Sequence, residues 1–150
     1  MSTFWIHRDG TVAVDDAVLK GINISSLPSN VQLVLWYEAS GTGEIRYADE
    51  DRLPIREPVF DLEQFVPIFD EWILAAKTPL PTTSGKTMPA ITLAQAKGVK
   101  NSLVQGIYTT KLRSGLDPGY AASLRDAHVA NVNAQSTVDG VAAYDITSGW

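Results

Sequence analysis

The sequence predicts an α+β protein: a small antiparallel β-rich head packed by a helix, then a Pro/Thr linker and a helical hairpin tail. Three observations carry this. Val31–Glu50, VQLVLWYEASGTGEIRYADE, reads as two strands joined by a glycine-containing turn. Asp61–Lys77 repeats apolar residues at three- and four-residue spacing, the period of one helix face. Thr78–Ala90, TPLPTTSGKTMPA, has the composition of an extended connector. The predicted divisions are therefore 1–77, 78–90 and 91–150.

The head opens with a short strand, Thr3–His7. Arg8-Asp9-Gly10 supplies turn chemistry, and Thr11–Val14 alternates so that it can pair back on the first strand. Asp15-Asp16 ends it. Val18–Ile24 is a further strand with Gly21 as a bulge or close approach, and Pro28 marks a loop. Val31–Tyr37 carries apolar groups on both faces, which predicts a central strand covered on both sides. In Glu44–Tyr47, Ile45 and Tyr47 face one way and Glu44 and Arg46 the other, as in a half-exposed strand. Asp49–Arg52 is a charged turn, and Pro54 and Pro58 keep the chain extended.

In the helix that follows, Asp61 is the expected N-cap with Gln64 completing a capping box. Leu62, Phe65, Phe69, Trp72, Ile73 and Ala76 form its apolar face, and Trp36 and Tyr37 are expected to pack against it. Pro67 should kink or restart it. Ile91–Arg113 is the second helix, capped by Thr92, with a stripe of Leu93, Ala96, Val99, Leu103, Ile107 and Leu112. Gly98 and Gly106 would permit close helix–helix approach. Gly115 reads as its stop, and Pro118 as the first turn of a third helix, Tyr120–Gln135. The stripe of that helix is weak, so it needs a partner. Ser136–Trp150 reads as strand or coil. There is no internal repeat.

The 150 residues make one ordinary domain or two small ones, and an apolar fraction of 45% suffices for a core. A net charge of −5 and scattered basic residues argue against a nucleic-acid surface, and Lys97, Lys100, Lys111 and Arg113 read as a solvated helix face. The absence of cysteine excludes disulfide scaffolds, thiolate catalysis and cysteine-based zinc sites. The amino-terminal residues show no secretory signal, and no apolar run approaches the ~20 residues that cross a bilayer. No membrane insertion is expected.

No catalytic constellation stands out. His7 and His128 lie on different modules and lack a third ligand at metal-site spacing. Asp15-Asp16 and Asp49-Glu50-Asp51 are turn clusters without the alternation of a calcium loop. Ser84-Gly85-Lys86-Thr87 contains Gly-Lys-Thr, but Leu80 stands where a phosphate-binding loop needs its first glycine, and Pro89 where its helix must begin. No catalytic residue, cofactor or metal is therefore assigned. Of four tryptophans, Trp36 and Trp72 are expected in the core, whereas Trp150, with little local structure to bury it, is an interface candidate. Leu93, Leu103, Ile107 and Leu124 join it as interface candidates on the tail helices.

IHRDGT, ISSLPSNVQLVLWYEASGTGEIRYAD and FVPIFDEWILAA together resemble an amino-terminal module of small tailed-bacteriophage tail proteins. ITLAQAKGVKNSLVQGIY is similar to helices in carboxy-terminal domains of tail-fibre-associated proteins. The resemblance implies a virion structural protein of the tail or baseplate, a fibre- or adaptor-associated subunit made in the host cytoplasm. Its partners would be other tail proteins and copies of itself, a trimer suiting a fibre. Two alternatives are a tail-fibre assembly chaperone absent from the mature virion, and a cell-wall-degrading enzyme using Glu44, Asp70 or Glu71.

Overall fold

Alternating residues in the first part of the chain build one antiparallel sheet. The computed structural model describes residues 2–15, 17–47, 56–59, 62–81 and 87–150. Its sheet comprises β1 (Thr3–His7), β2 (Val12–Val14), β3 (Ala17–Leu19), β4 (Val31–Tyr37), β5 (Thr42–Tyr47) and β6 (Arg56–Val59). The strand order is β3-β2-β1-β4-β5-β6, so β1 and β4 are central. The β1–β2 turn is closed by Asp9, whose Oδ1 accepts from the Thr11 amide at 2.8 Å. The strand expected over Val18–Ile24 is shorter, because the chain leaves the sheet after Leu19 and turns through Gly21.

Parity along these strands separates two faces. Phe4 and Ile6 on β1 and Val34 and Trp36 on β4 point inward and are buried, with Ile45 and Tyr47 of β5 beside them. The other face carries Trp5, Leu33, Leu35 and Tyr37. The helices pack on the inner face only, so β4 is central in the sheet but not covered on both sides. Tyr37, expected against the first helix, is exposed.

A 3₁₀ turn, Glu63–Phe65, leads into α1 (Val66–Ala76). Pro67 lies in the first turn of α1, where an amide has no intrahelical acceptor, so it starts the helix and does not kink it. Phe4 meets Phe69 edge-on, with centroids 5.0 Å apart. Of the features expected from the sequence, Asp61 as a cap, the Asp49–Asp51 group, Asp16, Pro54 and Ser84–Lys86 lie outside the described residues.

α2 (Leu93–Arg113) begins with a capping box: Thr92 Oγ1 accepts from the Gln95 amide, and Gln95 Oε1 accepts from the Thr92 amide. It ends in a Schellman motif, with Gly115 at φ 97°, its amide bonded to Leu112 O and the Leu116 amide to Lys111 O. α3 (Pro118–Asn133) starts at Asp117, which caps the Tyr120 amide, and packs along α2. The segment expected as strand or coil contains a fourth helix, α4 (Val138–Ala143), capped by Thr137 through the Gly140 amide. It spans six residues and buries Val141 and Ala142 against α1 and α2.

One hydrophobic core crosses the expected divisions of the chain. It runs from Phe4, Val34 and Trp36 through Phe69 and Trp72 to Leu103, Ile107, Val132, Val141 and Ile146. The connector does not space two modules apart. The Ile91 amide donates to Ala76 O at 2.7 Å, so the chain leaves α1 and returns to the same point. On the way, Leu80–Pro81 pairs with Thr87–Met88 as a two-stranded ribbon, β7 and β8.

Gly106 is where α2 meets the sheet. A Cβ there would lie 2.6 Å from Leu62 Cδ2 and 3.3 Å from Trp36 Nε1. Trp36 thus packs beneath α2 and Leu62, and the close approach is between helix and sheet, not between two helices. A Cβ at Gly98 would meet nothing within 4 Å. Gly106→Ala should cost the fold about 1–3 kcal/mol through overpacking on buried Leu62 and Trp36, offset by the ~1 kcal/mol that alanine gains in a helix, for a net loss. Gly98→Ala should stabilise it by about 1 kcal/mol through helix propensity. Urea denaturation of both variants reads the opposite signs.

Candidate functional site

The helical layer holds a charge where the sequence predicts a solvated face. Lys100 follows Ala96 by four residues and precedes Leu103 by three, on the apolar stripe of α2, and its side chain is 0% exposed. Its Nζ donates to Asp70 Oδ1 on α1 and, at 3.0 Å, to the carbonyl of Ala142 at the end of α4. A buried ammonium requires such partners, because desolvating it unpaired costs several kcal/mol. The position of Lys100 within the stripe was the available signal. The other basic residues of that face are also engaged: Lys97 donates to Asn133 O at 2.7 Å, Lys111 pairs with Glu63 at 3.0 Å, and Arg113 reaches Gly41 O at 2.7 Å.

Asp70 opens on a cleft of about 570 Å³ lined also by Glu63, Tyr144, Asp145 and Thr147. Burial pushes the Asp70 carboxyl up to about 6, against the opposing pull of Lys100. Asp145 is held below the ordinary carboxylate range by hydrogen bonds from Thr147, whose hydroxyl and amide reach Oδ1 at 2.6 and 2.8 Å. Two carboxyls of different proton affinity beside one cleft have the elements of acid–base chemistry. Asp70, however, is committed to Lys100, and the pair joins α1, α2 and α4 as a clamp. Glu44 lies on the outer face of the sheet, on the far side from α1, and Glu71 is exposed, so the three carboxylates of the enzymatic alternative do not converge.

The expected interface residues have mostly internal roles. Leu103 and Ile107 are fully buried in the common core and offer no surface. Leu93 is half-buried against that core, and Leu124 is half-buried beside Gly149. Trp150 stacks on His128 with centroids 5.6 Å apart, and its Nε1 donates to Ile146 O at 2.8 Å. Partners distant in sequence therefore bury much of it. His128 is itself 4% exposed. Its Nε2 faces Ser148 O at 3.0 Å, and since a carbonyl only accepts, that nitrogen carries a proton. In the neutral ring Nδ1 then accepts from the Tyr144 hydroxyl at 2.8 Å, and Tyr144 accepts from Asn131 at 3.1 Å. This chain of bonds docks the residues after α4 onto α3.

The surface with unused apolar chemistry is the outer face of the sheet. Register places Val18, Ala13, Trp5, Leu35, Glu44 and Pro58 in one row across all six strands. His7, Leu33 and Arg46 form the next row. Trp5, Leu33 and Leu35 are half-buried, Ala13 is fully buried, and Tyr37 is 44% exposed. An antiparallel sheet with one solvated face ordinarily alternates to polar residues there; β4, with Leu33, Leu35 and Tyr37, does not, and β1 adds Trp5 between the polar Thr3 and His7.

Among the described residues, no group of three or more His, Cys, Asp or Glu side chains is arranged to hold a metal ion, and no helix is long and apolar enough to cross a membrane. Compared with known protein families, curated proteins and solved structures, the chain matches none.

Lys100→Met should cost about 3 kcal/mol by leaving Asp70 without its counter-charge, and the double variant Asp70→Asn/Lys100→Met should return to within about 1 kcal/mol of the parent. Folding also links to pH here. Between the ordinary 3.8 and about 6, the folded protein holds a proton on Asp70 that the unfolded chain has released. The stabilising contribution of that proton is full below pH 3.8 and is lost as pH rises through 6. Urea midpoints at pH 4, 5, 6 and 7 should show this downward component in the parent and its loss in the double variant.

Proposed function

We propose that this chain is a structural protein of a bacteriophage virion, a tail or baseplate subunit associated with a tail fibre or its adaptor. It works by protein–protein assembly and not by catalysis. It is made in the host cytoplasm and ends in the tail, where its partners are other tail proteins and copies of itself.

The carrying observation is the outer sheet face, where Trp5, Leu33, Leu35 and Tyr37 present apolar surface on the side away from the helices. Apolar surface of this kind, rimmed by polar groups, is the mark of a protein contact site. The family resemblance of the head and of the α2 segment supplies the virion setting. The commitment of Asp70 to Lys100 supports the same reading by removing that carboxyl from acid–base work.

Mass spectrometry of purified particles tests this, with the chain expected among the tail proteins. Its absence from mature particles would overturn the reading; absence together with capture on a fibre carboxy terminus would make it an assembly chaperone. The cleft containing Asp70 and Asp145 gives the enzymatic alternative its own test. No lytic band is expected from the unmodified protein in a cell-wall zymogram. A band abolished by Asp70→Asn would replace assembly with catalysis.

A further inference from the structure

Resting on the assembly reading, we propose that the outer sheet face is the contact of an isologous two-fold dimer of this chain. The argument is one of self-complementarity. The row containing Trp5, Leu35 and Glu44 and the row containing His7, Leu33 and Arg46 lie two residues apart on the same face. A two-fold axis lying in the plane of the contact, perpendicular to the strands and midway between the rows, exchanges them. It sets Leu35 on the partner's Leu33, Trp5 on the partner's His7 and Glu44 on the partner's Arg46. Apolar meets apolar in the centre, and opposite charges meet at the flank.

The geometry is that of two face-packed sheets, whose strands stay within about 30° of alignment. An isologous contact uses the same patch twice, which is why the rows must complement each other. Within one chain, Arg46 Nε already donates to Glu44 Oε1 at 2.6 Å, yet the two side chains remain 39% and 30% exposed. They can therefore form a four-membered charge cluster with their counterparts without first being uncovered. No such pattern exists on the inner face, which the helices bury.

The contact is modest in size. Strands about 4.8 Å apart, with about 3.3 Å per residue, give the six strands, three to seven residues long, a plan area of roughly 400 Å². That is about half of the ~800 Å² per partner of a standard interface. The dimer should accordingly depend on concentration.

Sedimentation equilibrium on the full chain should show the average mass rising from 16.3 kDa towards twice that value with concentration. Glu44→Arg alone and Arg46→Glu alone should each weaken dimerisation by tenfold or more. An equimolar mixture of the two single variants should restore it, because all-basic and all-acidic flanks then meet across the axis. A second test uses the absence of native cysteine. Face-packed sheets lie about 10 Å apart, so Leu33→Cys mixed with Leu35→Cys should yield a heterodimer with a short bifunctional thiol reagent, and neither variant should crosslink efficiently by itself. A parent that is monomeric at all concentrations, or mixtures that behave no better than either variant alone, would overturn the dimer. A monomer still found in virions removes the dimer and leaves the assembly reading; a dimer absent from virions does the reverse.

Discussion

An ammonium group with no exposed surface constrains where three helices can lie. Lys100 projects from α2 into the interior, and there it meets a carboxylate and a carbonyl. Asp70 comes from α1 and the carbonyl from the end of α4. Neither helix can shift by a turn without stranding the charge, and a stranded buried charge costs more than a misplaced methyl group. α4 depends most on this. Six residues are far below the length at which a helix holds itself together in water, so α4 persists because its end satisfies Lys100 and its face covers the core.

The same economy shapes the sheet. Trp36 can lie flat beneath α2 because Gly106 presents no side chain, and the volume of an indole fills the space that a Cβ would have shared. The indole N–H is buried there without an acceptor among the described residues, so the contact trades a hydrogen bond for packing. Among the described residues no helix covers the outer face. Its apolar rows are half-buried rather than covered by a helix, whereas Leu103, Ile107 and Val132 on the helical side are fully buried.

Local signals in the sequence were legible where one residue decides one backbone event. Alternation located β4 and β5; Thr92, Pro118 and Gly115 located the ends of α2 and the start of α3. The antiparallel sheet and its accompanying helices follow from those signals, as an α+β fold. What escaped were facts set by residues far apart. Lys100 reads as solvated by its charge alone, although its spacing places it on the apolar stripe. Trp150 looked unsupported because His128 lies twenty-two positions earlier. α4 was hidden by the small residues of Val138–Ala143 and by Gly140 in their midst. The outer face was legible in part: the apolar residues at alternate positions of β4 were visible, but only the strand register shows that they join Trp5 in one row.

The hydrogen bond from the Ile91 amide to Ala76 O gives the connector a further meaning. Since its two ends are fixed together, a longer connector would cost the fold little, about 0.6 kcal/mol for each doubling of loop length. The fold therefore contains a natural insertion point.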